Sequence, residues 1–469
     1  MDVAEKSRLD VQDFRRVVEG ITVYVELTPQ EAMARIKAHP KDGWCTLKHP
    51  SGRGNLLCTH DGWQALSALA HRHVHSLEEA EDHSVSDILA VLRREFPKVL
   101  LEALQDEQSE EEEVICKLLS EATEEAKRTH VETVYHIPCV TVSQRKPEQF
   151  SIGPVAFRTA EAFLRANESY SQANKDPEAA PWLFESFEEQ ARKLGWIATV
   201  AIPPCAPEVS RRRAEATVLA AIDVLRFVIG ASHSADMRLG NSAPRKAQEC
   251  TIAVERNGNL DLTSSRRGGG ALVGEDWAHW VGQNQLFWRQ AAHLVDMCRH
   301  RRRSEVAERA LDALRWFGEA TFEPSPGAQI VKYVLALERM TTTQTFTIPN
   351  FCARVAILSF TKDDIEQCFR DALRVYSARS QVVHGGASPG SREFGKVLRI
   401  AHDLTRTALF RILEIHCFLD QKRKSTLADL NNFFNSEENK RSRQLTPLRE
   451  EARKASVKKN AVRSLHPNP

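Results

Sequence analysis

The stretch Tyr376-Ser377-Ala378-Arg379-Ser380-Gln381-Val382-Val383-His384-Gly385-Gly386 decides how the C-terminal third of the chain is read. Upstream of it, Ile365, Phe369, Ala372 and Tyr376 recur at helical spacing and trace one apolar stripe. Continued at the same spacing, the stripe reaches Arg379 and then Val383. An arginine therefore stands where the pattern asks for an apolar side chain. Taking a guanidinium out of water is costly unless an anion meets it. Ser380 and His384 lie one turn apart, so their side chains are neighbours on the helix surface. Gly385-Gly386 then ends the helix, because glycine takes the left-handed cap without a Cβ penalty. The prediction is a histidine at an exposed helix end, beside an arginine anchored in a helical bundle.

Spacing alone does not separate this pair from its background. With 17 histidines in the chain, chance yields about one Arg-x4-His match. A second match, Arg411 to His416, lies inside the apolar run Leu409–Leu419 and has no glycine cap. It reads as a helix histidine next to an arginine that snorkels to solvent.

The full segment is more specific than its spacing. It resembles the signature of Apea-like HEPN domains, in which a tyrosine, an Arg-Ser pair, two aliphatic residues, a histidine and a glycine follow in order. Here these are Tyr376, Arg379, Ser380, Val382, Val383, His384 and Gly385. Such domains also carry an Ala-Leu-Glu on an earlier helix. Ala336-Leu337-Glu338 matches it, preceded by Ile330, Val331 and Val334 at helical spacing. The resemblance covers residues 300–420, and Ile137-Pro138 through Phe157 is loosely similar to the region upstream of such domains.

That resemblance implies an RNA endonuclease with a paired arginine and histidine, no metal and no cofactor, and a site formed where two copies meet at a two-fold axis. It further implies a bacterial protein of anti-phage defence or a regulated toxin, with RNA, a second copy and a trigger or regulatory protein as partners. RNA carries its own nucleophile, the 2′-hydroxyl. A histidine titrating near neutrality can move the proton, as His384 would. An arginine can grip two phosphate oxygens at once, as Arg379 would. Many HEPN proteins have Asn, Asp or His after the arginine, whereas Ser380 fits the Apea-like subgroup. Ser380, Glu338 and Tyr376 are supporting candidates, Glu338 as the partner of Arg379. The alternative is a non-catalytic HEPN module for interaction or RNA binding. In that case Arg379 and Glu338 hold the bundle and His384 caps a helix.

Composition frames this reading. The chain has 469 residues, 42% hydrophobic and 27% charged, which is ordinary for a globular protein of two to four domains. A formal net charge of +1 gives no whole-molecule argument for nucleic acid, so basic surface must be local. Arg299, Arg301, Arg302 and Arg303 are the first candidates for phosphate contact. No apolar run has transmembrane length. The charged Met1–Gly20 segment lacks a signal-peptide core. Ten cysteines without a Cys-x-x-Cys pair suit a reducing cytoplasm. Cys45, Cys58, His71 and His75 form a weak alternative metal set whose spacing matches no known finger.

The expected fold class is α+β. A mixed α/β region spans 1–135 and a strand-rich region 136–273. An all-helical HEPN-like bundle spans 274–420, and a basic flexible tail runs over 421–469. Within the bundle, helices are expected at 275–300, 304–320, 328–340, 362–384 and 391–420. Asn257-Gly258 between two apolar runs predicts a hairpin.

Overall fold

The structure, a computed structural model, describes residues 3–22, 30, 34, 45–50, 55–103, 111–143, 146–167, 180–230, 234, 236–240, 248–254, 260–266, 285–300, 304–343, 346–360 and 364–465. It is α+β with an all-helical C-terminal region. The chain divides into two compact units, Met1–Thr133 with Ile202–Arg213, and Val134–Ala201 with Ala214–Pro469.

The first unit opens with helix α1 (Val3–Gly20), followed by strands β1 (Ile21–Thr22), β2 (Cys45–Lys48) and β3 (Asn55–Cys58). Strands β2 and β3 pair antiparallel, with Cys45 opposite Cys58; Pro50, Gly52 and Gly54 between two short apolar runs are the turn signal in the sequence. Helices α2 (His60–Ser76), α3 (Val85–Ala103) and α4 (Glu111–Lys127) complete it. Thr59 caps α2 by accepting the Gly62 N–H. The acidic run at Glu111–Glu113 is the first turn of α4, where negative charge suits the helix dipole. Phe14, Leu66, Leu69, Leu92, Phe96 and Leu119 meet in its core. The returning segment is tied in by Arg213, 2.8 Å from Asp82.

Strands β4 (Val131–Val140), β5 (Gln149–Ile152), β6 (Val155–Thr159), β7 (Trp196–Cys205) and β8 (Arg238–Leu239) form one sheet in the order β5-β6-β7-β4-β8. Helices α5 (Ala160–Ala166) and α6 (Ala180–Leu194) join its strands, and α7 (Pro207–Ile229) follows β7. Strands β9 (Gln248–Val254) and β10 (Leu260–Arg266) pair antiparallel, as the Asn-Gly signal requires.

The bundle comprises α8 (Gln285–Asp296), α9 (Glu305–Phe322), α10 (Pro326–Thr341), α11 (Ile348–Ser359), α12 (Ile365–Val383) and α13 (Phe394–Gln421). Serine or threonine caps start three of them: Ser304, Ser325 and Thr347 each accept an N–H of the first turn. α10 packs against α9, α12 and α13, which makes it the central helix.

Two differences from expectation have physical causes. Helix α11 was not foreseen, because every residue from Phe351 to Ser359 is buried; a helix buried all round shows no amphipathic period. The expected flexible tail instead begins with helices α14 (Leu427–Lys440) and α15 (Ser442–Leu465). A capping box of Thr426 and Asp429 starts α14. Leu430, Phe434, Leu445 and Leu448 are buried, so a few well-spaced apolar residues suffice to dock a basic segment. Among the described residues, no helix is long and apolar enough to cross a membrane.

Candidate functional site

Helices α10 and α12 build the site. Ile365, Phe369, Ala372, Val375 and Ala378 are the buried stripe of α12. The stripe therefore drifts one position from the expected Tyr376 and Val383 as the helix ends. Tyr376 and Arg379 sit at its edge, half-buried, and Val383 is 50% exposed.

Arg379 is held loosely. Its Nη2 lies 3.9 Å from Glu338 Oε1 on α10, and the two side chains are 22% and 21% exposed. That separation is an ion pair beyond hydrogen-bond length. The guanidinium carbon lies 5.7 Å from the centre of the Tyr376 ring, a cation–π distance. Its Nε–H is buried and has no acceptor among the described residues. Burial pushes the Glu338 carboxyl above its ordinary range, and the Arg379 charge works against that rise. Tyr376 is fixed in turn by Phe346 and Phe351, with ring centres 5.7 and 5.3 Å away. Burial raises its phenol pKa.

His384 is exposed at the C-terminal end of α12. Its backbone N–H donates to the Ser380 carbonyl at 3.1 Å. Gly385 takes φ 72°, the left-handed cap that the Gly-Gly pair predicts. Gly386 N–H closes the turn on the Gln381 carbonyl at 2.8 Å. The loop beyond is pinned to the start of α10: Gly327 N–H donates to Pro389 O at 2.8 Å, and Ser325 Oγ donates to the same oxygen at 3.1 Å. The structure thus brings Arg379, Glu338 and Tyr376 together, with Ser380 the next residue on the same helix and His384 at its C-cap.

The second Arg-x4-His match behaves as its apolar surroundings predict. Arg411 is exposed and paired with Glu414 at 2.6 Å. His416 is fully buried, stacked on His293 with ring centres 5.5 Å apart. Neither of its ring nitrogens has a partner among the described residues. Burial, aided by His293 and opposed by Asp420, pushes its pKa down to about 4. The unfolded chain, with histidine near 6.5, binds the extra proton as pH falls from 6.5 to 4. Stability is therefore full above pH 6.5 and declines through that window, by up to about 3 kcal/mol from this residue. Urea unfolding at pH 7 and pH 4.5 is expected to show this loss, and His416→Leu should remove its share; an unchanged pH slope in the variant would contradict the assignment.

The other candidates separate. Arg299 directs its donors to Asp296 Oδ1 (Nε at 3.0 Å) and to the Ala201 carbonyl at 3.0 Å, a role within the fold. Arg301, Arg302 and Arg303 lie outside the described residues. Of the alternative metal set, Cys58 is buried while His71 and His75 are exposed on α2, with His75 Nδ1 2.8 Å from the His71 carbonyl oxygen. The Cys45 side chain lies outside the described residues. Among the described residues, no group of three or more His, Cys, Asp or Glu side chains is arranged to hold a metal ion. No protein-family model, no curated protein and no solved structure matches this chain.

Proposed function

We propose that the chain is a HEPN-type endoribonuclease that cuts RNA without a metal ion, with Arg379 and His384 as its catalytic residues. The observation that carries this reading is the unsatisfied guanidinium of Arg379. It is drawn into the bundle edge, yet its carboxylate neighbour stands off at 3.9 Å and its Nε–H has no acceptor among the described residues. A cation built only to lock two helices would be hydrogen-bonded to its anion. One left with free donors at a partly open position is prepared for an incoming anion, and a phosphodiester supplies two oxygens in the geometry of the guanidinium fork.

In this reading His384 takes the proton of the 2′-hydroxyl, or returns one to the leaving oxygen. Arg379 neutralises the pentacoordinate phosphate. Glu338 and Tyr376 set the direction of the guanidinium, and Ser380 would orient the imidazole or contact phosphate. Val383 and Phe346, 50% and 37% exposed, place apolar surface next to the site, which suits a two-fold meeting of two copies. The remaining regions would sense a trigger or restrain the nuclease, as in anti-phage defence or a regulated toxin. Bacterial growth arrest on expression of the wild type, relieved by His384→Ala, is the cellular test. Relief by neither His384→Ala nor Arg379→Ala would sink the toxin reading.

Glu338 acts through Arg379. Glu338→Gln keeps the shape and removes the charge, so it is expected to lower cleavage by roughly ten- to hundredfold through a misdirected guanidinium. Steady-state cleavage rates of the folded variant check this, and an unchanged rate would assign Glu338 to the bundle alone.

A further inference from the structure

The first unit contains a cavity of about 420 Å³ between α1, α2 and α4, within the size range of small-molecule sites. Its apolar wall is made by Val11, Leu77, Ile115 and Leu119. Two polar groups in it keep hydrogen-bonding capacity beyond their contacts within the fold. The first is His73. The Thr123 hydroxyl donates to the Leu119 carbonyl at 3.0 Å, so its oxygen accepts from His73 Nε2 at 2.7 Å. That network puts the ring proton on Nε2. The Nδ1 lone pair is left without a partner among the described residues, on a side chain that lines the cavity. Burial and the nearby Lys6 charge hold this histidine down to about 4, so it stays a neutral acceptor at neutral pH.

The second is Lys6. Its ammonium donates to Ser76 Oγ at 2.8 Å and has no carboxylate in ion-pair range among the described residues. The other charges on the lining are mostly engaged: Asp10 by Arg72 at 2.8 Å and Lys127 by Glu124 at 3.5 Å. Glu112 also lines the cavity and disfavours ligands of high negative charge.

We infer that this cavity binds a small amphipathic monoanion, with its acidic group on Lys6, a hydroxyl or N–H donor on His73 Nδ1, and its apolar body against Ile115 and Leu119. The inference stands apart from the Arg379–His384 reading and survives its failure.

The probe is 1-anilinonaphthalene-8-sulfonate, which carries one sulfonate, one N–H and an apolar ring system, compared with uncharged N-phenyl-1-naphthylamine. Both are titrated by fluorescence into the full-length protein. One saturable site per chain is expected for each. Lys6→Met should weaken the sulfonate probe by roughly tenfold and change the uncharged probe by less than about twofold. Ser120→Trp, at an exposed lining position of α4, should abolish both. Absence of saturable binding, or binding that survives Ser120→Trp, overturns the site. Equal loss of both probes, or loss of neither, in Lys6→Met overturns the anion.

Discussion

His384→Ala is expected to reduce RNA cleavage by about 10²–10⁴-fold and to change unfolding free energy by less than about 1 kcal/mol. The two effects separate because of where the residue sits. Its side chain is exposed, so its removal leaves no cavity. Its contribution to the helix end is the backbone N–H on the Ser380 carbonyl, which alanine keeps, and Gly385 still supplies the left-handed turn. Arg379→Ala is expected to cost about 10²–10³-fold in rate with a larger stability change, since Glu338 and Tyr376 lose their neighbour. Arg379→Lys should behave nearly as badly in rate, because an ammonium cannot offer the planar fork to two phosphate oxygens. Cleavage rates with denaturant unfolding on the same preparations check both halves. A rate loss that merely follows a loss of fold would contradict the catalytic assignment.

The largest stability effect is expected far from that site, at Asp223 on α7. Asp223 and Arg226 are both buried and paired, with Arg226 Nη1 2.5 Å from Asp223 Oδ1. The guanidinium also donates to the Met237 carbonyl and lies 4.1 Å from the centre of the Phe322 ring. Burial raises the Asp223 carboxyl and the Arg226 charge opposes it. Asp223→Ala would leave a buried cation uncompensated, which costs about 3–5 kcal/mol. Gly318 on α9 reports the same contact from the other side. A Cβ there would lie 2.1 Å from Asp223 Oδ1, so Gly318→Ala must displace the ion pair. Urea midpoints measure both variants. A loss below about 1 kcal/mol for Asp223→Ala would mean that water replaces the carboxylate and that the pair does not hold α7 to α9.

The sequence was legible where a period and a punctuation mark coincided. The helix ending at His384 was readable because its apolar spacing stops at Gly385-Gly386. The 45–58 and 248–266 hairpins were readable because glycine-bearing turns separate alternating runs. Helix α11 was hidden by being buried on every side, and the two helices beyond Gln421 by having few large apolar residues. α1 was hidden by its charges, although Phe14 and Val17 turn inward. At the site, Glu338 was found only through its Ala-Leu-Glu context, since one carboxylate on a helix is not otherwise distinctive. The Tyr376–Phe346–Phe351 cluster that holds the arginine was not foreseen. Its members come from three segments that only the fold brings together. The His73–Thr123 pair escaped for the same reason, being 50 residues apart.

The assignment of Arg379 and His384 is tested by incubating a mixed RNA pool with the purified protein in EDTA, alongside the Arg379→Ala and His384→Ala variants, and sequencing the product ends. Cleavage by the wild type is expected to survive EDTA, to leave 2′,3′-cyclic phosphates, and to disappear in both variants. Cleavage that EDTA abolishes, or that either variant retains in full, would contradict it.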